Sequence, residues 1–464
     1  MREGFFLNHP AKGWETGLPV GNGRQGAVLF GTAETEKILL NEESLWYGGK
    51  QERGQEAGRE KLAELRSLLA EGKAEEAQRL CGRYLSSYPR YMNPYHPAAE
   101  AILTFWGMEA EKEGEAYRRG LDWQEGEVWV ESGTQRRVLF SSSHDQVTLL
   151  HLESKRGKRW NMELGLNRRP FEQEAESAEA AIYLSGQSGE GGVHYCVGCM
   201  AGESDGSWKV EGGYLVLQEA SFAELLFCVC TDYEGEDAKA SCKNRLERAK
   251  EAGYEEVYAR HKRDYAAQYN RMQLQLSFDE ELSKLPADVL LKRAGEPKVR
   301  AYLTQLLFSY ARYLLISSST NCLLPANLQG IWNGSFTPPW ESGYTININL
   351  QMNYWMADAA GLGECFTPFL RLLERMLPNG RETARKVYGC EGFVAHHNTN
   401  LWGDTDITGL WIPAACWVTG GAWMANQVYQ HASYEENEKE CFRFWEKLCV
   451  SFMDICKERA MAVW

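Results

Sequence analysis

Long apolar runs are what this sequence most plainly lacks. No stretch of about 18 consecutive apolar residues occurs, so no membrane-crossing helix is expected. The N-terminus, MREGFFLNHPAKGW, has neither an apolar signal-peptide core nor a small-residue cleavage site. The expected location is cytoplasmic, and a membrane is not an expected partner. Basic charge is short as well. Lys and Arg number 50 against 64 Asp and Glu, a net charge of −14. Such a surface repels polyanions, so nucleic acid is not an expected partner. Regular cysteine spacing is missing too: the 13 cysteines are odd in number and irregular, unlike a disulfide framework. Cys196-x-x-Cys199 is the lone pair at zinc-ribbon spacing, whereas a structural zinc needs four ligands. No metal is expected, and free buried thiols in a reducing compartment account for the cysteines. Gly21-Asn22-Gly23-x-x-Gly26 lacks the strand–loop–helix frame and the later acidic residue of a dinucleotide loop, and reads as a β-turn cluster. Internal repeats and low-complexity segments are also absent.

What is present fits a soluble multidomain protein. At 464 residues the chain is too long for one ordinary core, and its composition is 44% hydrophobic and 25% charged. Residues 1–255 have a β texture. Short apolar stretches such as Gln25–Gly31, Gln146–Leu152, Ala181–Leu184 and Tyr214–Leu217 are divided by Gly, Ser and charged turns, as in a large sandwich. One helical insertion interrupts them. Leu62, Leu65, Leu68 and Leu69 have helical spacing, and Ala74–Leu85 continues as a second short helix. Residues 256–296 read as a helical linker, in which HKRDYAAQYNRMQLQL passes from helix into strand. Residues 297–464 read as mainly helical: Leu303, Leu306, Leu307, Tyr310, Leu314 and Leu315 form an apolar stripe, and Phe366–Met376, Ala415–His431 and Phe442–Ile455 are further helices.

The richest chemistry lies in Leu324–Trp355, LPANLQGIWNGSFTPPWESGYTININLQMNYW. Asn327, Gln329, Asn333, Asn347, Asn349, Gln351 and Asn353 alternate there with Trp332, Trp340, Tyr344, Tyr354 and Trp355. Amides that donate and accept, set among flat aromatic faces, match the hydroxyl rim and C–H faces of a sugar. Sixteen tryptophans are rich for this length and fit the same use. Taken singly, each Asn here serves equally well as a turn or helix-entry hydrogen bonder, and Trp332 and Trp423 serve equally well as core.

LPVGNGRQGAVLFG (Leu18–Gly31) and LNEESLWYG (Leu40–Gly48) resemble the N-terminal β domain of glycoside hydrolase family 95. RYLLISSS (Arg312–Ser319), LPANLQGIWN, PPW, NINLQMNYW and HHNTNLWGDT resemble the opening half of its catalytic domain. The resemblance implies a β + α multidomain fold: an N-terminal β-super-sandwich over 1–255, a helical linker over 256–296, and at 297–464 the first part of an (α/α)6 barrel. It implies hydrolysis of terminal α-L-fucosides with inversion, with α-L-galactosides as the alternative, and no cofactor. An inverting glycosidase needs an acid on one face of the sugar and a water-activating base on the other. The resemblance implies that Asn349, with Asn347 beside it, touches that water, an amide being a base only when a carboxylate polarises it. It places Thr345, His396, His397 and Asn398 around the sugar, and Trp332 and Trp423 are candidates to stack on it. Thr345 stands where many fucosidases of the family carry His, which bears on L-fucose against L-galactose. Gln430 and Ala432 are further departures.

The family's general acid lies in a Pro-Ser-x-Ser-Pro-Glu-Asn stretch and its activating carboxylate near Arg-His-x-Ser-His-Leu; neither stretch occurs in these 464 residues. The expectation is a truncated, incomplete barrel without turnover alone, with exposed helix faces that call for a second chain carrying the rest. Asp404, Asp406 and Glu341 are the rival carboxylates. A fucosylated or L-galactosylated glycan is the expected ligand. The competing class is a non-catalytic carbohydrate-binding or degenerate protein that keeps part of the pocket.

Overall fold

The computed structural model describes residues 3–53, 57–107, 117–155 and 157–434. The chain divides into two units. One comprises 1–47, 96–322 and 330–336; the other comprises 48–95, 323–329 and 337–464.

The first unit is an antiparallel β sandwich with helices following it. Its alternation is clean in Ala99–Trp106, where Ala99, Ala101, Leu103 and Phe105 are buried and their neighbours are more open. Side chains pointing alternately to opposite faces bury one face of such a strand. One sheet has nine strands, in the spatial order 4–7, 118–122, 127–131, 135–142, 147–154, 222–231, 194–204, 181–187 and 174–178. The other has seven, in the order 207–211, 214–220, 160–167, 99–106, 35–42, 25–29 and 18–21. All four apolar stretches expected to be strands contribute to these sheets.

Phe222–Thr231 is buried along nearly its whole length. One face of it packs under the helix Ala238–Ala252, where Cys196, Cys228, Cys230, Cys242 and Leu246 share a core. These thiols behave as small apolar side chains, and the described cysteines are all buried, none in a disulfide. The Asp237 carboxylate accepts from the Ala240 N–H at 2.6 Å and caps this helix. Gly253, with φ +78°, ends it. Helices therefore begin at Ala238, ahead of the expected linker start.

The following helix, Tyr254–Tyr269, carries a ladder of rings at helical spacing. Tyr254, Tyr258, His261, Tyr265 and Tyr269 stack in sequence at centroid separations of 5.5, 6.4, 6.0 and 5.5 Å. Its end is held by the buried Arg312, whose guanidinium donates to the carbonyls of Gln268, Tyr269 and Met272. The strand expected after this helix does not form. Residues 272–279 run without sheet pairing, Leu276 N–H donating to Gln305 and Phe278 packing on Tyr302 at 4.4 Å. The alternation of Gln and Leu is real, but a helix, Pro297–Ser319, takes the place of a neighbouring strand.

The second unit is mainly helical, and the insertion belongs to it. Helices Ala57–Ala70 and Ala74–Tyr84 put Leu62, Leu65, Ala77 and Cys81 into one core with Ala384, Val387, Tyr388, Ile412 and Cys416. Helix Thr367–Thr383 continues as a wider turn to Tyr388 and stops at Gly389, φ +68°. Residues 415–431, expected as one helix, form two pieces, Ile412–Ala415 and Gly420–Ala432. The helix expected at Phe442–Ile455 lies outside the described residues. No described helix is long and apolar enough to cross a membrane.

Candidate functional site

A short antiparallel ribbon organises the helical unit's polar residues. Tyr344–Thr345 pairs with Asn398–Thr399, setting Thr345 directly opposite Asn398. Residues opposite one another across two strands share a face with their Cβ atoms about 5 Å apart. The Ile346 N–H donates to the His397 carbonyl at 2.7 Å, extending the pairing by one residue. The sequence segments around NIN and HHN, far apart in the chain, thus meet backbone to backbone.

Helix Gly420–Ala432 is seated on this ribbon. A Cβ on Gly420 would come within 2.7 Å of the His396 carbonyl oxygen and 3.0 Å of the Ile346 side chain, so only glycine allows the approach. Trp423 is half-buried near the start of this helix. A second brace runs inside: Gln351 donates to the Ile346 carbonyl at 2.6 Å, and Gln427 donates to the Gln351 carbonyl at 3.1 Å.

The polar atoms left over are concentrated here. Asn347 Oδ1, Asn398 Oδ1, His397 Nδ1, Gln351 Oε1 and Gln427 Oε1 are buried and have no hydrogen-bond partner among the described residues. Buried polar groups are nearly always paired, so a cluster of unpaired ones calls for a ligand or ordered water. Burial pushes the His397 pKa down to about 4, and its ring also bonds the Ala415 carbonyl. It is therefore neutral at pH 7. Asn349 is exposed, at the first position of helix Asn349–Tyr354.

The two adjacent histidines have different placements. His396 is fully buried, with Nε2 2.7 Å from the Tyr388 hydroxyl and Nδ1 2.6 Å from the Thr405 carbonyl. Nδ1 must donate to that carbonyl and Nε2 accept from the phenol, leaving no nitrogen for a sugar. Burial lowers its pKa to about 4. Trp332 sits in the sandwich unit, in a core with Val28, Leu39 and Ile331, and its indole N–H donates to the Val20 carbonyl. Of the residues expected around the sugar, the ribbon brings Thr345, Asn347, His397 and Asn398 together, whereas His396 and Trp332 are packed as structural residues.

The rival carboxylates also differ. Asp404 is held by Arg53, Nε to Oδ2 2.9 Å, and by the Asn400 amide at 2.9 Å. Asp406 lines a cavity of about 40 Å3 with Arg53, Glu382, Thr383 and Lys386. Burial, then the Asp404 charge, raises its pKa to about 6. Glu341 is half-buried, and burial raises its pKa. It lies in an unusual turn in which Trp340, Glu341 and Ser342 all have left-handed φ values, 50, 57 and 50°. Non-glycine residues hold such angles only when their surroundings fix them. Here the Ser342 hydroxyl bonds Asn327 and Gln329, and the Tyr95 N–H donates to the Glu341 carbonyl at 2.9 Å. Trp340 stands 75% exposed on this turn.

Arg53 and Tyr388 carried no sequence signal as site supports, since each acts on a residue brought near only by folding. Among the described residues, no group of three or more His, Cys, Asp or Glu is placed to hold a metal ion.

Comparison with known proteins bears on the family. Residues 253–453 match the family model of the glycosyl hydrolase family 95 catalytic domain, and residues 5–236 match that of the glycosyl hydrolase family 65 N-terminal domain. Alpha-L-fucosidase 2 of Arabidopsis thaliana is 28% identical over 465 residues, covering 92% of this chain and 55% of that protein. Probable alpha-fucosidase A of Aspergillus niger is 29% identical over 468 residues, with coverages of 91% and 56%. The chain spans little more than half the length of the curated relatives it matches. A solved structure, a putative kojibiose phosphorylase from human microbiome, is similar with a TM-score of 0.58 at 9% identity, covering 97% of this chain and 60% of that one; this likeness concerns the fold alone. With a family-95 catalytic match behind an antiparallel sandwich that has its own hydrolase match, the chain is similar to the glycoside hydrolases of family 95.

Proposed function

We propose that this chain carries the sugar-binding and water-activating side of an inverting α-L-fucosidase-type glycosidase. The carrying observation is the ribbon that sets Thr345 against Asn398, beside the unpaired polar atoms of Asn347, His397 and Asn398. A pyranose supplies hydroxyls that both donate and accept, which suits two amide oxygens and a neutral imidazole nitrogen. In this reading Asn349, open to solvent, contacts the attacking water and Asn347 lies beside it. Trp423 and the exposed Trp340 supply apolar faces for the sugar or its leaving group. The curated relatives bearing fucosidase names support a fucosylated glycan as ligand.

Proton donation needs a carboxylic acid across the sugar from the water. The family's acid-bearing stretch is not among residues 1–464. We therefore assign the acid outside these residues, and the helices from 297 onward to the first part of an (α/α)6 barrel following a linker at 256–296. Residues 1–464 alone then bind sugar without turning it over.

A second reading, preference for α-L-galactosides, is favoured by Thr345. Its short side chain leaves room and a hydroxyl where a larger ring would contact the exocyclic carbon that distinguishes the two sugars. The test is 4-nitrophenol release from the α-L-fucoside and α-L-galactoside, beside calorimetric binding of both free sugars. Binding without release supports the assignment. Release abolished by Asn349→Ala would move the acid to Glu341 or Asp406, and absence of binding would leave a degenerate protein.

A further inference from the structure

Among the described residues of the sandwich unit, Arg168 has the most buried nitrogens without a hydrogen-bond partner. It is 1% exposed, yet Nε, Nη1 and Nη2 all lack a partner among the described residues. Other buried arginines of the unit are engaged: Arg312 by three carbonyls, Arg137 by Glu36, and Arg119 by the carbonyls of His9 and Thr16. Among the described residues no carboxylate bonds the Arg168 guanidinium; the Glu172 carboxylate accepts from the Arg168 backbone N–H, at 2.8 Å, instead. Burial lowers the guanidinium's pKa, with the Tyr195 phenol the one group acting the other way.

Rings enclose it instead. The guanidinium carbon lies 4.4 Å from the Tyr195 centroid, 5.4 Å from Phe336 and 5.8 Å from Phe171. Aromatic rings this close attract the cation, but they offer its N–H groups no acceptor. His96 packs on the same Phe171 and Phe336, at 5.2 and 5.1 Å. Its Nδ1 is likewise buried without a partner, and burial and the Arg168 charge push its pKa down to about 3, leaving it neutral. A desolvated guanidinium without a counter-charge is costly, and so is every unfilled donor on it. Such a group calls for an acceptor that the polypeptide does not provide.

We propose that Arg168 holds a small monovalent anion, chloride or a carboxylate of formate or acetate size, on its N–H edge, with Tyr195, Phe171 and Phe336 excluding water. The fork of donors matches a carboxylate or a single halide. A phosphate-type dianion would need a second cation, and neutral His96 does not supply one. The site lies wholly within the sandwich unit and does not depend on the glycosidase reading.

The test is thermal unfolding of the full chain at constant ionic strength, with chloride, bromide, formate or acetate replacing gluconate. A saturable rise in Tm of ~2–8 °C in the occupant's salt is expected, since a ligand bound only to the folded form stabilises it. The halide and carboxylate arms separate the two sources. Crystals soaked in bromide should show an anomalous peak on the Arg168 N–H edge if a halide is held, and saturation-transfer NMR with formate reports the carboxylate. Arg168→Met should lose the salt response. Should that variant fail to fold, the unsubstituted chain still decides. Equal Tm in all salts with neither a bromide peak nor a formate signal means water fills the place, and the proposal falls. It also falls if folded Arg168→Met keeps the full anion response.

Discussion

Arg53 and Asp404, separated by 351 positions in sequence, form an ion pair with 0 and 4% side-chain exposure, Nε to Oδ2 2.9 Å. The remaining guanidinium nitrogens donate to the Pro89 and Tyr91 carbonyls and to Asn93 Oδ1. One arginine thereby ties the helical insertion's flank to the loop that follows the ribbon. Removing it strands a buried carboxylate, which costs about 3–5 kcal/mol. Arg53→Met should lower stability by that amount in urea unfolding. A change below about 1 kcal/mol would mean that Asp404 is solvated or finds another partner.

Thr345 faces Asn398 across the ribbon, and under the proposed function a His there would fill the space beside the sugar's exocyclic carbon. Thr345→His should move the binding ratio of L-fucose to L-galactose about tenfold toward L-fucose, a usual size for discrimination by one added group. Calorimetric titration with each sugar measures it. An unchanged ratio would remove this position from the specificity argument.

The two asparagines should separate. Asn347 has a buried oxygen without partner, so Asn347→Ala should weaken sugar binding by roughly 1 kcal/mol. Asn349 is exposed, so Asn349→Ala should change stability by less than ~0.5 kcal/mol. In a form that turns over, the same change should reduce kcat by about 10²–10⁴-fold. Steady-state kinetics beside Tm measurements tell these apart, and a collapse of Tm in Asn349→Ala would mark a structural role instead.

Left-handed φ at Trp340 is unfavourable for any residue with a Cβ. The ring is 75% exposed and contributes little burial. Trp340→Gly should therefore leave stability unchanged or raise it by up to ~1 kcal/mol, while weakening affinity for an oligosaccharide more than for free sugar. Tm together with the two affinities checks this. A large loss of stability would show that the ring is anchored.

His396 and His397 titrate near pH 4 in the folded chain, against about 6.5 when unfolded. Between those values the unfolded chain binds protons that the folded chain refuses. Their contribution to stability is therefore complete above pH 6.5 and is lost as pH falls toward 4. Asp406, raised to about 6, works oppositely, its protonation favouring the fold as pH drops. Glu341, also raised by burial, acts in the same sense as Asp406; with the two rings outweighing these two carboxyls, the Tm of the helical unit should fall from pH 7 to pH 4.5. Histidine C–H resonances followed by NMR give the midpoints directly, and a His396 midpoint near 6.5 would contradict the buried neutral ring.

Local pattern carried the strands well. Gln25–Leu29 and Ala181–Gln187 announce themselves by apolar stretches between turn residues. Pattern also found the helices of the insertion, but not their allegiance. Leu62 and Leu65 have no sequence feature naming Ala384 or Val387 as neighbours. Gln273–Leu276 shows the converse, a strand-like alternation with no strand beside it. In the site, motif likeness pointed at Thr345, Asn347, His397 and Asn398, which the ribbon gathers. It could not separate His396 from His397, since which of two adjacent rings turns inward depends on Tyr388 and Thr405. Nor could composition distinguish Trp332, packed on Ile331 with its N–H on a carbonyl, from Trp340, which stands in solvent eight residues later.

Because the insertion packs with the helical unit, synthesis order and folding order cannot coincide. Residues 48–95 leave the ribosome roughly 240 residues before the segment from 337 onward that completes their core, a delay of ~10–50 s at ordinary translation rates. During that interval Leu62, Leu65 and Cys81 lack the later half of their core, while the sandwich strands that follow them in sequence are being made. A holdase acting on nascent chains would have its clearest target there, and expression should improve more from slowed synthesis or added chaperone than from any single stabilising substitution elsewhere.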